Sequence, residues 1–217
     1  KTKPDIVLDN SVTAHSVEVA KSGINEGIRP VIGTSGIPES ALSEISALSK
    51  QKKVGALIIP NFSIGAVLMM DFARQAGEYF GNVEIVEMHH TKKLDAPSGT
   101  AMHTTKKLAA SRAEYNIKEV DEHEILTGSR GGLGQSGVRV HSLRLPGLIS
   151  HQEVIFGSPG ELLTVRHDSF NMDCFLQGIM MSLKFVSSID ELVIGLDIVL
   201  GLGNSAKKEH AVSASSK

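Results

Sequence analysis

The chain has 217 residues, 41% of them hydrophobic and 21% charged, which is enough to bury a core as one large domain or two smaller ones. Its 22 Lys and Arg residues nearly balance its 24 Asp and Glu residues. This balance argues against nucleic acid or an anionic membrane surface as the main partner. No uninterrupted run of about 18 apolar residues occurs, so no membrane-spanning segment is predicted. The single cysteine, Cys174, cannot form a disulfide within the chain and favours a reducing, cytoplasmic compartment.

Three short runs of branched aliphatic residues predict buried parallel strands at 6–8, 30–33 and 54–59. Helical patterns lie between them, over 12–26 and from Pro38, a residue suited to the first position of a helix. Strands that alternate with helices in this way form parallel sheets with right-handed crossovers. The first part of the chain is therefore predicted to be part of a doubly wound, Rossmann-type sheet.

The remainder of the chain predicts an α+β arrangement. Helices are expected over 62–79 and from 99 to about 113, on either side of a strand at 83–88. Further β-like runs, separated by turns, predict a mixed or antiparallel sheet; they are 119–125, 138–145, 153–156 and 161–167. The glycine-rich segment 128–137 is predicted to be a mobile loop. A helix is expected over 174–186, and a capping box at 188–191 predicts another helix that ends near Gly201.

Residues that can take part in catalysis or ligand binding are concentrated at 87–101, where a predicted strand ends and a helix begins. Ser98 is a good N-cap, and the N–H groups of the following turn can bind a carboxylate or phosphate, helped by the helix dipole. Two imidazoles and two ammonium groups precede this turn. The combination suits a small dianionic substrate that undergoes an acid-assisted reduction or addition.

Each of these residues also has a simpler interpretation. His89 and His90 are adjacent in a strand and point to opposite faces, so one functional imidazole is sufficient. Lys92 and Lys93 are also compatible with a solvated surface pair, and Asp95 with a structural acceptor in a loop. No metal site is predicted, because neighbouring histidines splay apart and the cysteine is distant in sequence.

As a whole, segment 87–101 resembles the signature of the bacterial dihydrodipicolinate reductase family: Glu-x-His-His, a Lys three residues on, then Asp-Ala-Pro-Ser-Gly-Thr-Ala. Segment 31–36 resembles the family's Gly-Thr-Thr-Gly nicotinamide loop, and 60–63 resembles its Asn-Phe-Ser segment. The resemblance covers roughly residues 5–202. Three further segments are similar to the branch found in Gram-positive bacteria and cyanobacteria: 145–148, 151–156 and 166–169.

The resemblance implies a reductase of 4-hydroxy-tetrahydrodipicolinate that uses NADPH or NADH in lysine and diaminopimelate biosynthesis. His89 would be the catalytic proton donor, and Lys93 would protonate the departing hydroxyl or the substrate nitrogen. His90 would contact the substrate, and the N–H groups of Gly99 and Thr100 would hold a ring carboxylate. The residues implied to lie along the nicotinamide are Gly33, Thr34, Ser35, Ile59, Pro60, Asn61 and Phe62.

The expected fold is α/β, a partial Rossmann-type sheet followed by an α+β domain that binds the substrate and oligomerises. Residues 1–61 would form the remaining half of the dinucleotide-binding domain, with 175–203 folding back on it. Residues 62–174 would form the second domain, and 204–217 a flexible tail. The resemblance further implies a homotetramer with a small dicarboxylate substrate, and neither nucleic acid nor a membrane as partner.

Three departures from the family accompany these matches. Asp9-Asn10-Ser11 stands where the family usually reads Asp-Phe-Thr, which alters a wall of the cofactor cleft. No Gly-x-Gly-x-x-Gly turn precedes Asp5, so we expect the nicotinamide end of a cofactor site without its pyrophosphate end, as in an N-terminally truncated and impaired enzyme. Met172 stands where the family places an Arg near the substrate carboxylates, a loss worth about 1–3 kcal/mol of dianion binding. Arg144 and Arg166 are candidates to compensate. The alternative function is a non-catalytic dicarboxylate-binding or assembly module.

Overall fold

The computed structural model describes residues 4–117, 121 and 123–202. The chain divides into two compact units, one containing residues up to Ile64 and from Phe175 onward, the other Gly65–Cys174. None of the described helices is long and apolar enough to cross a membrane.

The first unit is a parallel sheet, as the sequence predicts. Its strands are β1 (Ile6–Asp9), β2 (Arg29–Ile32), β3 (Ala56–Ile58) and β9 (Leu192–Ile194), in the order β1-β2-β3-β9. Helices α1 (Thr13–Asn25) and α2 (Glu39–Lys52) connect the first three strands. Helix α5 (Leu176–Phe185) and the short helix α6 (Leu196–Val199) flank β9 in sequence. The core contains Ala20, Ile24, Ile32, Ile45, Ala56 and Ile58.

The helix expected after the capping box is wrong. Leu192–Ile194 instead forms β9, which pairs in parallel with β3, and helical structure resumes only over Leu196–Val199. Gly195, at φ 102°, makes the turn between the two. The branched run pairs with the edge of β3, and this long-range pairing overrides the local helix signal.

The second unit is a mixed sheet packed with two helices. Its strands are β4 (Asn82–His89), β5 (Gly132–Leu133), β6 (Arg139–Arg144), β7 (Ser150–Ser158) and β8 (Glu161–Ser169), in the order β5-β6-β4-β7-β8. The β4–β6 pair is parallel and the other pairs are antiparallel. The helices are α3 (Ile64–Gly77) and α4 (Gly99–Ser111).

Some predicted boundaries shift for local reasons. Helix α3 begins at Ile64 rather than at 62, because the Asn61 side chain accepts the Ser63 N–H at 2.8 Å and forms a turn before the helix. Of the strand expected over 119–125, residues 119, 120 and 122 lie outside the described residues, and 121 and 123–125 are not in a strand. The tail 204–217 also lies outside them. The glycine-rich segment contains β5 and a 3₁₀ turn at Gln135–Gly137.

The central strand β4 has two different faces. Val83, Ile85, Glu87 and His89 alternate on a buried face. On the same face of the sheet, Gln152 of the neighbouring strand β7 donates from Nε2 to Thr104 Oγ1 of α4 at 2.8 Å. The register places Glu87 opposite Ser142 and Gln152, and His89 opposite Arg144 and Ser150. We call the other face, which carries Glu84, Val86 and Met88, the outer face.

Candidate active site

The carboxyl end of β4 holds a buried imidazole against a buried carboxylate. Glu87 is 0% exposed and His89 is 9% exposed. The Nδ1 atom of His89 lies 2.5 Å from Glu87 Oε2. Arg144, from the neighbouring strand β6, donates to both oxygens of Glu87, at 2.8 Å to Oε1 and 3.1 Å to Oε2. One carboxylate therefore anchors an imidazole and a guanidinium at the end of the sheet.

These contacts set the charge of the pair. Burial raises the pKa of Glu87, but hydrogen bonds from Arg144, Ser142 and His89 outweigh it and hold the pKa below its usual value. Burial lowers the pKa of His89, and the charges of Lys93 and Arg144 lower it further, against the opposing effect of Glu87. A carboxylate is only an acceptor, so the neutral imidazole carries its proton on Nδ1 and presents the Nε2 lone pair.

The loop after β4 contains the other basic residues of the signature. His90 is exposed, as expected for the neighbour of an inward-pointing residue. Lys93 Nζ lies 2.7 Å from Asp95 Oδ1, and this bond holds the pKa of Asp95 below its usual value. The Asp95 carbonyl accepts a hydrogen bond from Arg144 Nη2 at 2.8 Å. The same guanidinium that binds Glu87 thus ties down the loop that carries Lys93.

Helix α4 begins immediately after this loop. Ser98 is its N-cap, with Oγ accepting the Ala101 N–H at 3.1 Å. Gly99 is exposed, and a Cβ added there would meet no described atom within 4 Å. Thr100 is half-buried, and its carbonyl accepts from Thr104 Oγ1 at 2.8 Å. The open first turn, without a side chain at Gly99, leaves room for an anion at the positive end of the helix.

In the first unit, the loops after β2 and β3 lie at the carboxyl edge of the parallel sheet, where such sheets hold cofactors. A Cβ on Gly33 would lie 1.8 Å from Asn10 Oδ1 and 2.6 Å from Phe62 Cε2. Gly36, at φ 74°, has no described atom within 4 Å of an added Cβ. Gly33 is therefore packed closely against Asn10 and Phe62, whereas Gly36 has open space beside it that fits a flat ring such as nicotinamide.

The other residues of the predicted cofactor loops differ in exposure. The Thr34 hydroxyl lies 2.6 Å from Ser16 Oγ, which donates to Asp9 Oδ2 at 2.5 Å. Ser35 and Pro60 are exposed, Asn61 is half-buried, and Ile59 and Phe62 are buried.

The sequence reasoning missed the Glu87–Arg144 pair. The available signal was the alternation of β4, which puts Glu87 on the same side as Val83 and Ile85. Arg144, proposed as a substitute for the family's Arg, is already bound to Glu87. Arg166, the other candidate, donates to Asp168 Oδ2 at 2.8 Å and pairs with Glu153 on the outer face. Both candidates therefore already have carboxylate partners.

Comparison with known proteins extends these observations to the family level. The family model described as "Dihydrodipicolinate reductase, C-terminus" matches residues 65–200, and the corresponding N-terminus model matches residues 1–62. The chain belongs to the dihydrodipicolinate reductase family. The junction between the two models falls at the first boundary between the units, whereas residues 175–200, which the C-terminus model also matches, belong to the first unit.

Individual relatives agree with this assignment. The 4-hydroxy-tetrahydrodipicolinate reductase of Bacillus velezensis is 47% identical over 200 residues, which is 92% of this chain and 74% of the relative. That of Synechococcus elongatus is 44% identical, over 92% of this chain and 70% of the relative. The solved structure of a dipicolinate-bound dihydrodipicolinate reductase from Paenisporosarcina sp. TG-14 has a TM-score of 0.82 and 45% identity, and the match covers 90% of this chain and 73% of that one.

Proposed function

We propose that this chain catalyses the NADPH- or NADH-dependent reduction of 4-hydroxy-tetrahydrodipicolinate to tetrahydrodipicolinate, with loss of water, in lysine and diaminopimelate biosynthesis. The relatives that match over most of the chain are named for this reaction. The observation that carries the proposal is the buried His89, whose Nδ1 contacts Glu87 and whose Nε2 is the position left to exchange a proton.

We assign substrate binding and proton transfer to different residues of the site. The first-turn N–H groups of Gly99 and Thr100 bind one ring carboxylate, and His90 adds a contact from the exposed loop. Delivery of the hydride and loss of the hydroxyl as water take up one proton overall. His89 is its donor, from Nε2, and Lys93 passes it to the departing hydroxyl or the ring nitrogen. A dianionic substrate raises the pKa of a nearby imidazole, so binding itself charges His89 for donation.

The nicotinamide, when bound, supplies the hydride. The residues proposed to hold it are Gly33, Thr34 and Ser35, with Ile59, Pro60, Asn61 and Phe62 from the next loop. The support for this assignment is the position of both loops at the carboxyl edge of the parallel sheet and the open space beside Gly36.

The reaction is tested on the purified chain by following the loss of NADPH or NADH absorbance. We expect the double variant His89→Gln/Lys93→Ala to lose about 10²–10⁴-fold in kcat, the scale of lost acid catalysis. The matched control is His15→Gln/Lys92→Ala, which makes the same two changes at exposed positions and should keep wild-type turnover. Turnover that survives in the first variant would refute the catalytic assignment. A wild-type chain that binds dipicolinate but oxidises neither cofactor would instead favour the binding module.

We further propose a homotetramer that forms through the outer face of the second sheet. This face carries Leu162, 77% exposed, and Leu143, 37% exposed, on strands β8 and β6. The register places the two leucines at opposite ends of this face, so a tetramer interface built on them would span the whole face. Light scattering should report a tetramer for the wild type and a smaller species for Leu162→Asp. An unchanged mass for that variant would contradict this surface.

A further inference from the structure

Glu87 is placed where an unassisted carboxylate is costly. It lies on the central strand, is 0% exposed, and faces the helix-covered side of the sheet. A buried carboxylate normally takes up a proton unless it is paired and hydrogen-bonded. Both oxygens of Glu87 are bonded, Oε1 to Arg144 and Oε2 to Arg144 and His89. The surroundings are therefore built to keep this carboxylate charged beside the imidazole.

Arg144 does more than neutralise Glu87. Its Nη1 also donates to the Leu143 carbonyl at 2.7 Å, and its Nη2 to the Asp95 carbonyl at 2.8 Å. Four bonds from one planar group fix its orientation, which lysine cannot reproduce. Arg144 is thus bound to the strand that bears His89 and to the loop that bears Lys93.

We propose that Glu87 and Arg144 are positioning residues of the reaction: Glu87 fixes the Nδ1–H tautomer of His89 and favours its protonation at Nε2, and Arg144 holds Glu87 ionised while tying the 90–98 loop in place. The inference rests on the proposed function for its kinetic consequence, but its structural consequence concerns His89 alone.

The charges around His89 act in opposite directions, and this makes the contribution of Glu87 measurable. Glu87 stabilises the imidazolium, whereas Lys93 and Arg144 destabilise it, and Asp95 faces the site while paired with Lys93. Glu87→Gln removes the favourable charge and leaves both cations in place. His89 then becomes harder to protonate, and its Nδ1–H loses its anionic acceptor.

The test combines NMR titration of the His89 ring nitrogens with the pH dependence of kcat. For Glu87→Gln we expect the His89 midpoint to fall by about one pH unit or more. The descending limb of kcat should shift to lower pH by the same amount, while KM stays near the wild-type value. Arg144→Lys keeps a positive charge but loses the paired geometry, so we expect a mixed tautomer at His89 and a raised KM from the loosened loop.

Glu84→Gln is the matched control. Glu84 lies on the same strand and also binds an imidazole and a guanidinium, with His141 and Arg130 each at 2.7 Å, but it points to the outer face. Thermal unfolding of all three variants measures the purely structural cost. If Glu87→Gln does not fold, the His89 tautomer in Arg144→Lys is the test. A mixed tautomer supports the inference, and an unchanged Nδ1–H tautomer contradicts it.

A His89 titration and tautomer that respond equally to Glu84→Gln and Glu87→Gln, or to neither, would overturn the inference. A wild-type chain without turnover whose His89 titration still depends on Glu87 would remove the proposed function and leave the positioning intact. Turnover that depends on His89 but not on Glu87 would keep the proposed function and remove the positioning role of Glu87.

Discussion

Met172→Arg, which introduces the residue that the resemblance implies for the family at this position, should strengthen substrate binding. Strand β8 ends at Ser169, which pairs with Ser150, and Ser150 pairs with His89, so Met172 follows at the same end of the sheet as the His89 imidazole. Arg144 and Arg166 are the two candidates to replace the family's Arg. Arg144 is bound to Glu87, and Arg166 is bound to Asp168 and Glu153. A guanidinium at 172 would therefore supply a contact to the substrate that these two arginines do not.

The size of the effect follows from exposure. A charged hydrogen bond contributes about 1.5–3 kcal/mol, but Met172 is 71% exposed, and solvent screening favours the lower end of that range. Since about 1.4 kcal/mol is a factor of ten, Met172→Arg should lower KM for the substrate, and the inhibition constant of dipicolinate, by about tenfold. The gain should shrink at high salt.

The matched control is Met180→Arg, which adds the same charge at a position of helix α5 that is 54% exposed. It should leave both constants near their wild-type values. Steady-state kinetics at several substrate concentrations, with dipicolinate as competitor, measure all of these quantities. Equal constants for the two variants would refute the reasoning that position 172 faces the substrate without a substitute cation.

Two further predictions concern the cofactor loop and pH. Gly33→Ala should weaken NADPH binding, measured by fluorescence titration, because the added Cβ would lie 2.6 Å from the buried Phe62 ring. The control Gly81→Ala should not weaken it, because the Cβ added there would meet no described atom within 4 Å. Equal affinities of the two variants for NADPH would contradict the prediction. Burial lowers the pKa of both His89 and His167 from 6.5, so the unfolded chain takes up these protons first. The contribution of the two neutral imidazoles to the free energy of unfolding is complete above pH 6.5 and is lost as pH falls below it. A Tm that is flat from pH 7 to 5 would contradict this assignment.

Local patterns were sufficient for much of the fold. The parallel strands, β4 and α4 were predictable because each has its own signal: branched aliphatic runs, or Ser98 at a helix start. Strand β9 was not, because Leu192–Ile194 is extended through pairing with β3, more than a hundred residues earlier in the chain. The capping box before β9 is a genuine local helix signal, but the pairing with the distant strand β3 overrides it.

The candidate site shows the same difference between features with a local sequence signal and features set by long-range strand pairing. The signature segment pointed to the end of β4 and the start of α4, both of which are contiguous in sequence. Arg144 is brought to Glu87 only by the parallel pairing of β6 with β4, and no local pattern encodes that pairing. The acidic partner itself was visible, since Glu87 shares the alternation of the apolar residues of β4.

The return of the chain to pair β9 with β3 also affects the order of folding. The second unit is one continuous stretch, Gly65–Cys174, whereas the first needs residues from both sides of it. During synthesis, the mixed sheet can form while β3 still presents an unpaired edge. Closing the β3–β9 pair across an unstructured loop of that length carries an entropic cost that grows with the logarithm of loop length. A second unit that has already folded replaces most of that loop with ordered chain, so the discontinuous sheet is best completed last.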